Sequence, residues 1–473
     1  MTGTLDPALL DRFAAIVGER HALRDIAETA PYLTERRALF AGISPLVLRP
    51  GSVDEVSRIM QLATQTRTPI VPQGGNTGLV GAQMPDRSGG QVVLSLSRLN
   101  RIREIDTLSN TVTAEAGVVL EALHAAVDAA DRLFPLSLGS QGSCEIGGNL
   151  SSNAGGTGVL AYGNARELCL GLEVVLPTGE VFDDLRKLKK DNTGYDLKNL
   201  FIGAEGTLGV ITAAVLKLFA RPKGREVAWV GLKSPQAALD LFGRATDQAG
   251  GSLTAFELIS DMVLSFAVRH IADTHAPLQG EWPWHVLIEI SSGRSAKDAR
   301  TLMEEVLIAA LEEEIAGDAV IASSLAQASA FWRLRESLSD SQRPEGGSIK
   351  HDISVPVASI PQFIERGAKA VAAVCPGARI ACFGHMGDGN LHYNISQPVG
   401  MEAEAFLGLY PQMNKAVHDL VREMNGSISA EHGIGQMKRA ELIATSQPIA
   451  IDLMRRMKAA FDPAGIMNPG KVI

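Results

Sequence analysis

The chain has only four cysteines in 473 residues, Cys144, Cys169, Cys375 and Cys382, and no two of them form a CxxC pair. That spacing excludes a disulfide framework or a zinc knuckle and predicts reduced, buried thiols. Basic residues are too few and too scattered to form a stripe, and the formal net charge is −9, which excludes a nucleic-acid partner from the expected functions. No uncharged apolar run approaches the roughly 20 residues of a membrane-spanning helix, so an integral membrane protein is not expected. The opening MTGTLDPALLDRF has no basic segment followed by an apolar one, and no secretory signal is expected. These absences leave a soluble, cytoplasmic protein of helices and strands.

What the chain has in quantity is glycine, 47 residues, within a sequence that is 45% hydrophobic and 21% charged. The length suits two to three domains with real cores. Residues 1–45 read as a helical arm without a glycine-rich loop. From 46 to 222 the pattern is mixed: VDEVSRIMQLATQT (53–66) and LEALHAAVDAA are amphipathic helices, while TPIVPQ, QVVLSLSRLN, REIDTLSNTVTAEAGV and LCLGLEVVLPTGEVF are strand-rich with turn signals between runs. This lacks the regular alternation of a Rossmann unit and reads as α+β. RPKGRE (221–226) marks a boundary, followed by a second α+β region over 223–425 and a C-terminal helical segment over 426–473.

Three glycine-rich loops fall in the region 46–222. PQGGNTGLVG (72–81) can point several backbone N–H groups at an anion, yet it is neither GxGxxG nor GxxxxGK[ST]. PLSLGSQGSCEIGGNLSSNAGGTG (135–158) carries a single charge, Glu145, and GAEGTLGVIT (203–212) opens onto a β-branched strand. One such loop is an ordinary turn and a neutral glycine run is often a linker. Three, flanked by structured segments, favour a large dinucleotide.

Taken with KDNTGYDLKNLFIGAEGTLGVIT, GHMGDGNLHYNIS and SAEHGIGQMKR, these loops make the chain resemble the FAD-linked D-2-hydroxyacid dehydrogenases of the vanillyl-alcohol oxidase superfamily, most closely the branch acting on D-2-hydroxyglutarate. The resemblance runs from about residue 40 to the C-terminus. It implies an FAD-binding domain of two α+β subdomains, an α+β substrate and metal domain, and a C-terminal segment that returns to the flavin. It assigns Gly74, Gly75, Asn76, Thr77 and Gly78 to the pyrophosphate and Gly142, Ser143, Gly147, Asn149 and Asn153 to the length of the cofactor. Gly206, Val210 and Ile211 would close over it, with Asn468 near the ring. Residues 72–84 contain no His or Cys, so FAD is expected to be dissociable.

The histidines add a second constellation. A single histidine is usually a hydrogen-bonded packing residue, and His124, His270, His275, His285 and His418 are read that way. ARIACFGHMGDGNLHYNIS instead reads as a hairpin turning between Asp388 and Gly389, which would set His385 directly opposite His392 on one face, with Asn394 beside them. Two imidazoles so placed suit one metal ion. The resemblance supplies Glu431 of SAEHGIGQ as the third ligand, and a His/His/carboxylate set suits zinc better than manganese or iron.

FWRLRESLSDS (331–341) reads as a helix with Arg335 and Ser339 on one face, and Lys350 follows shortly after. By themselves these make an ordinary charged helix; the resemblance puts them at the substrate's carboxylates. Ser339 stands where threonine is associated with the hydroxyglutarate branch, which keeps the hydroxyl and loosens the substrate assignment. The expected reaction is metal-assisted oxidation of a D-2-hydroxy diacid, D-2-hydroxyglutarate or a D-malate-like acid, with His432 as general base and hydride transfer to FAD. Arg335, Ser339, Lys350, Asn394 and His432 would hold the substrate, and His385, His392 and Glu431 the metal. The alternatives are a D-lactate or glycolate dehydrogenase on the same scaffold, an NADPH-dependent flavin reductase, and a catalytically idle flavoprotein. An electron-transfer flavoprotein is the acceptor the resemblance suggests, and a homodimer is an allowed assembly.

Overall fold

The computed structural model describes residues 5–473; residues 1–4, the start of the expected arm, lie outside the described residues. The chain divides into two compact units, one made of residues 1–154, 164–221 and 432–473 and the other of 155–163 and 222–431. Most of the expected C-terminal segment is therefore counted with the chain's beginning, while 426–431 are counted with the second unit.

In the first unit, the helix Val53–Thr66 begins where Ser52 Oγ accepts a hydrogen bond from the Glu55 N–H, with Asp54 and Glu55 in the first turn, and it stops at Arg67 in the left-handed region. Val56, Ile59, Met60 and Ala63 form its buried stripe. The helix leads into the strand Ile70–Gln73, which pairs in parallel with Val92–Ser95. That strand pairs in parallel with Val47–Leu48, which is antiparallel to Ala22–Leu23, completing a four-stranded sheet. The N-terminal residues are thus part of the core: the helix Pro7–Val17 buries Leu10, Phe13, Ala14 and Val17 in the same apolar cluster as Val56 and Ile59. A separate five-stranded antiparallel sheet runs Ile102–Asp106, Thr111–Glu115, Val210–Lys217, Cys169–Val175, Val181–Asp184. These two sheets, with a third of two short strands, Arg132–Leu133 and Phe219–Ala220, meet the α+β expectation. From the chain's end, Met467 bridges to Ile70 and the Asn468 N–H donates to the Ile70 carbonyl at 2.8 Å.

The second unit is built on an antiparallel sheet whose central strands are Gly224–Leu232, Trp284–Ser292, Leu253–Ser260, Arg379–His385 and Asn390–Ser396. Both faces are covered, as the period-two alternation of the strands requires. Ala228, Val230 and Leu232 pack with the helices Pro235–Ala249 and Ala296–Glu312, while Val227 and Trp229 join the helices Asp261–His270 and Leu325–Ser337 on the other side. Each such fully buried large side chain contributes about 1.5–3 kcal/mol. Among the described residues, no helix is long and apolar enough to cross a membrane.

The hairpin carrying the two histidines differs from the expected register. His392 pairs with Phe383 and not with His385, because a 3-10 turn over Met386–Asp388 and Gly389 at φ 86° lengthen the connection. The slip is by two residues, so His385 remains on the same face, diagonal to His392. His385 instead pairs with Glu257 on its other neighbouring strand. The helix expected over 331–341 ends at Ser337, and Ser339 follows in a helical backbone conformation at φ −70° and ψ −42°.

Candidate active site

The first unit contains an open cavity, about 830 Å³ with the solvent at its mouth included, walled by all three glycine-rich loops. Gly74, Gly75, Asn76, Thr77, Gly78, Gly147, Asn149, Gly206, Val210 and Ile211 line it, as does His432. Gly142, Ser143, Asn153 and Asn468 fall outside its wall. Gly142 and Ser143 are exposed on the adjoining turn. The side chains of Asn153 and Asn468 serve the backbone: Asn153 Oδ1 accepts from the Arg166 N–H at 3.0 Å, and Asn468 Nδ2 donates to the Ala82 and Glu205 carbonyls, each at 2.9 Å. Asn76 lines the cavity yet also ties its loop down, donating to the carbonyls of Pro31 and Thr34 and accepting from Gln83.

The close approach of backbones explains why one glycine is required. A Cβ on Gly75 would lie 1.8 Å from the Ser143 carbonyl oxygen, so only hydrogen fits where the first loop meets the second. Gln73 Oε1 and Glu145 Oε2 are buried without a hydrogen-bond partner, and both residues line the cavity. Unsatisfied polar atoms facing a glycine-walled cavity fit a polar heteroaromatic dinucleotide, which would supply their partners. Burial pushes the Glu145 carboxyl up to about 8, against the opposing pull of Arg49. Glu205, also in the wall, accepts from the Ile434 and Gly435 N–H groups at 2.7 and 2.8 Å. Burial raises its pKa while those two donors oppose the rise. This pins the loop that presents His432 to the cavity.

In the second unit, His385, His392 and Glu431 come together with their ligand atoms all within 4.8 Å of one another. His385 Nε2 lies 3.6 Å from Glu431 Oε1 and His392 Nε2 lies 3.7 Å from Glu431 Oε2. Those separations are too long for hydrogen bonds and close to the roughly 3.4 Å between two ligands held at about 2.0–2.1 Å by one tetrahedral ion. The donor set, two neutral-capable imidazoles and a carboxylate, fits a divalent metal of the zinc type. Burial raises the Glu431 carboxyl to about 7, with Asp352 and Asp388 adding to the rise and His385 opposing it. Burial alone would lower His385, but the adjacent Glu257 overrides it and pushes the imidazole up to about 9.

Residues around this cluster were not all foreseen. Glu257, 1% exposed, accepts from His385 Nδ1 at 2.8 Å and from Arg335 Nε at 2.8 Å. Asp352 accepts from the Glu431 N–H and from Asn390 Nδ2, both at 3.0 Å, and stands opposite His392 in the strand pairing. The available signal was an acid alone in an apolar strand, as in LTAFELIS, where a buried charge demands a partner. Of the expected substrate residues, Lys350 Nζ lies 3.3 Å from Ser339 Oγ, and Asn394 is buried on the strand that carries His392. Arg335 is drawn elsewhere: it is 6% exposed, its Nε and Nη2 face Glu257, and its guanidinium sits 5.0 Å above the Phe383 ring.

Comparison with known proteins covers both units. Residues 44–184 match the FAD binding domain family, and residues 221–472 match the C-terminal domain of FAD linked oxidases. The chain is 36% identical over 472 residues to the mitochondrial D-2-hydroxyglutarate dehydrogenase of Arabidopsis thaliana, covering 99% of this chain and 82% of that enzyme. The chain belongs to the FAD-linked D-2-hydroxyacid dehydrogenase family. The D-2-hydroxyglutarate dehydrogenase of Stutzerimonas stutzeri (strain A1501) is 35% identical over 469 residues, 99% of each chain. Among solved structures, p-cresol methylhydroxylase superposes with a TM-score of 0.76 at 15% identity, covering 98% of this chain and 96% of that one, which shows the shared vanillyl-alcohol oxidase fold. FAD is therefore the cofactor of this family member. The plant relative's name places it in mitochondria, which does not favour the cytoplasm as this chain's location.

Proposed function

We propose that this family member oxidises D-2-hydroxyglutarate, and diacids of the D-malate kind, to the 2-oxo acid. The observation that carries the reading is the spacing of His385, His392 and Glu431, three metal-type donors held near the edge length of a tetrahedral ion. FAD, held without a covalent link because residues 72–84 contain neither His nor Cys, supplies the hydride acceptor when bound. Zinc on the three donors would supply a Lewis acid for the substrate's hydroxyl end.

The remaining work falls to side chains. His432, which follows Glu431 in the chain and lines the glycine-walled cavity, takes the hydroxyl proton on its imidazole. Lys350 offers a mobile cation beside the Ser339 hydroxyl for the distal carboxylate, assisted by Asn394. Arg335 adds positive charge while its Nε and Nη2 stay on Glu257. An electron-transfer flavoprotein is the proposed acceptor for the electrons that leave the enzyme.

The test is anaerobic bleaching of the flavin absorbance by D-2-hydroxyglutarate before and after chelation. Rapid bleaching, lost on chelation and restored by zinc, is the expected result. Bleaching indifferent to chelator would remove the metal from the reading. Bleaching by D-lactate and not by the diacid would transfer the substrate to the monocarboxylate alternative.

A further inference from the structure

We infer that Glu257 is the positioning residue that turns His385 into a metal ligand, and that Arg335 is the countercharge that keeps Glu257 ionised in a dry interior. The inference rests on the metal reading above. An imidazole binds an ion through one nitrogen, and the hydrogen bond made by the other nitrogen decides which one. Here His385 Nδ1 lies 2.8 Å from Glu257 Oε1. An ionised carboxylate only accepts, so a ring proton resides on Nδ1, and Nε2, on the side of Glu431, is the nitrogen at which a metal would take the place of a proton.

The sheet itself sets this bond. Glu257 and His385 are directly paired residues of neighbouring antiparallel strands, so the carboxylate and the ring share a face and a height along the strand. Glu257 is 1% exposed and Arg335 6%, and the second carboxylate oxygen, Oε2, is 2.8 Å from Arg335 Nε and 2.6 Å from Arg335 Nη2. A carboxylate buried that deeply is strongly disfavoured unless a cation accompanies it. The guanidinium is fixed in turn over Phe383, the residue opposite His392. One carboxylate thus links a metal donor to an arginine that the family resemblance assigns to substrate.

A merely structural ion pair would hold the sheet together without affecting a metal, and the test separates the two roles. FAD-loaded protein is stripped of metal with a chelator, and zinc affinity is measured by competition with a chromophoric chelator. Glu257→Gln is expected to weaken zinc binding by about 10–100-fold with flavin content retained. Glu257→Asp keeps the countercharge for Arg335 but falls short of Nδ1, and it too should lose affinity, which covers the case in which one variant does not fold. Glu289→Gln removes another buried carboxylate of the same sheet, one bonded to Trp332 and Thr254, and should leave zinc affinity unchanged. Equal zinc affinity in wild type and the Glu257 variants would overturn the inference and leave the metal reading standing. Equal losses in the Glu257 and Glu289 variants would reduce Glu257 to a structural role. No zinc binding by the wild type would remove the metal reading, and this inference with it.

Discussion

His392 faces Phe383 across its hairpin, with the two rings 4.9 Å apart, and His385 lies two residues further along the same face. The imidazoles therefore meet on a diagonal, with ring centroids 5.9 Å apart. A strand's side-chain period is two, so this register keeps both donors on one side of the sheet, where a slip of one residue would have separated them.

Replacing either histidine by Ala should abolish zinc binding and spare the flavin. None of residues 379–396 is among those that wall the glycine-lined cavity, so the substitution removes no lining side chain. Metal analysis and the visible spectrum of the purified variants check this. Loss of flavin together with zinc would show the two sites to be interdependent.

His432→Ala should cut the rate of flavin reduction by about 10²–10⁴-fold, the usual contribution of a positioned general base. Stopped-flow reduction under anaerobic conditions measures it. A rate within a few-fold of wild type would move the base elsewhere.

Lys350→Ala should raise the KM for a diacid roughly fivefold and leave that for a monocarboxylate unchanged, since the amine beside Ser339 is exposed and an exposed ion pair is worth about 1 kcal/mol. Steady-state kinetics on D-2-hydroxyglutarate and D-lactate provide the comparison. A parallel loss on both acids would contradict a role at the distal carboxylate.

Gly75→Ala should yield protein depleted of FAD, because the added methyl lies 1.8 Å from the Ser143 carbonyl oxygen and forces the first two loops apart. The ratio of flavin to protein absorbance after purification gives the answer. Full occupancy would mean that the second loop can retreat without cost.

Glu145 makes stability depend on pH. Its carboxyl titrates at about 8 in the folded chain against an ordinary value of 4.5, so the folded state holds the proton more tightly than the unfolded state. The stability this brings is present in full below the unfolded pKa and is lost as pH rises through about 8, at about 1.4 kcal/mol per unit of difference. Thermal unfolding of wild type from pH 5 to 9 should therefore show Tm falling towards pH 8, and Glu145→Gln should flatten that fall. Parallel curves would place the titration in another group.

Much of this molecule was legible before any coordinates. The helix Val53–Thr66 was readable because its cap, first-turn acids and apolar stripe are all local in sequence. Most strands of the four- and five-stranded sheets in the first unit were readable from alternation and turn residues, but the two-residue strands Ala22–Leu23 and Val47–Leu48 were not, and the first of them interrupts the arm read as helical. The glycine loops were legible as a group because glycine has a local backbone reason to be where it is. Beyond these limits, pairing decides. The hairpin centre was misplaced because MGDGN accommodates several turn lengths, and only the packed strands on either side selected the one that sets Phe383 against His392. Glu257 was invisible as a functional residue because its two partners lie 78 and 128 residues away, brought to it by the order of strands and the helix laid over them. Arg335 looked like a surface cation for the same reason: helical spacing reveals which residues share a face, but not that a buried carboxylate on another element waits beneath it. Local chemistry is written residue by residue in the sequence, whereas the partner of a buried charge is settled only when distant segments close around it and exclude water.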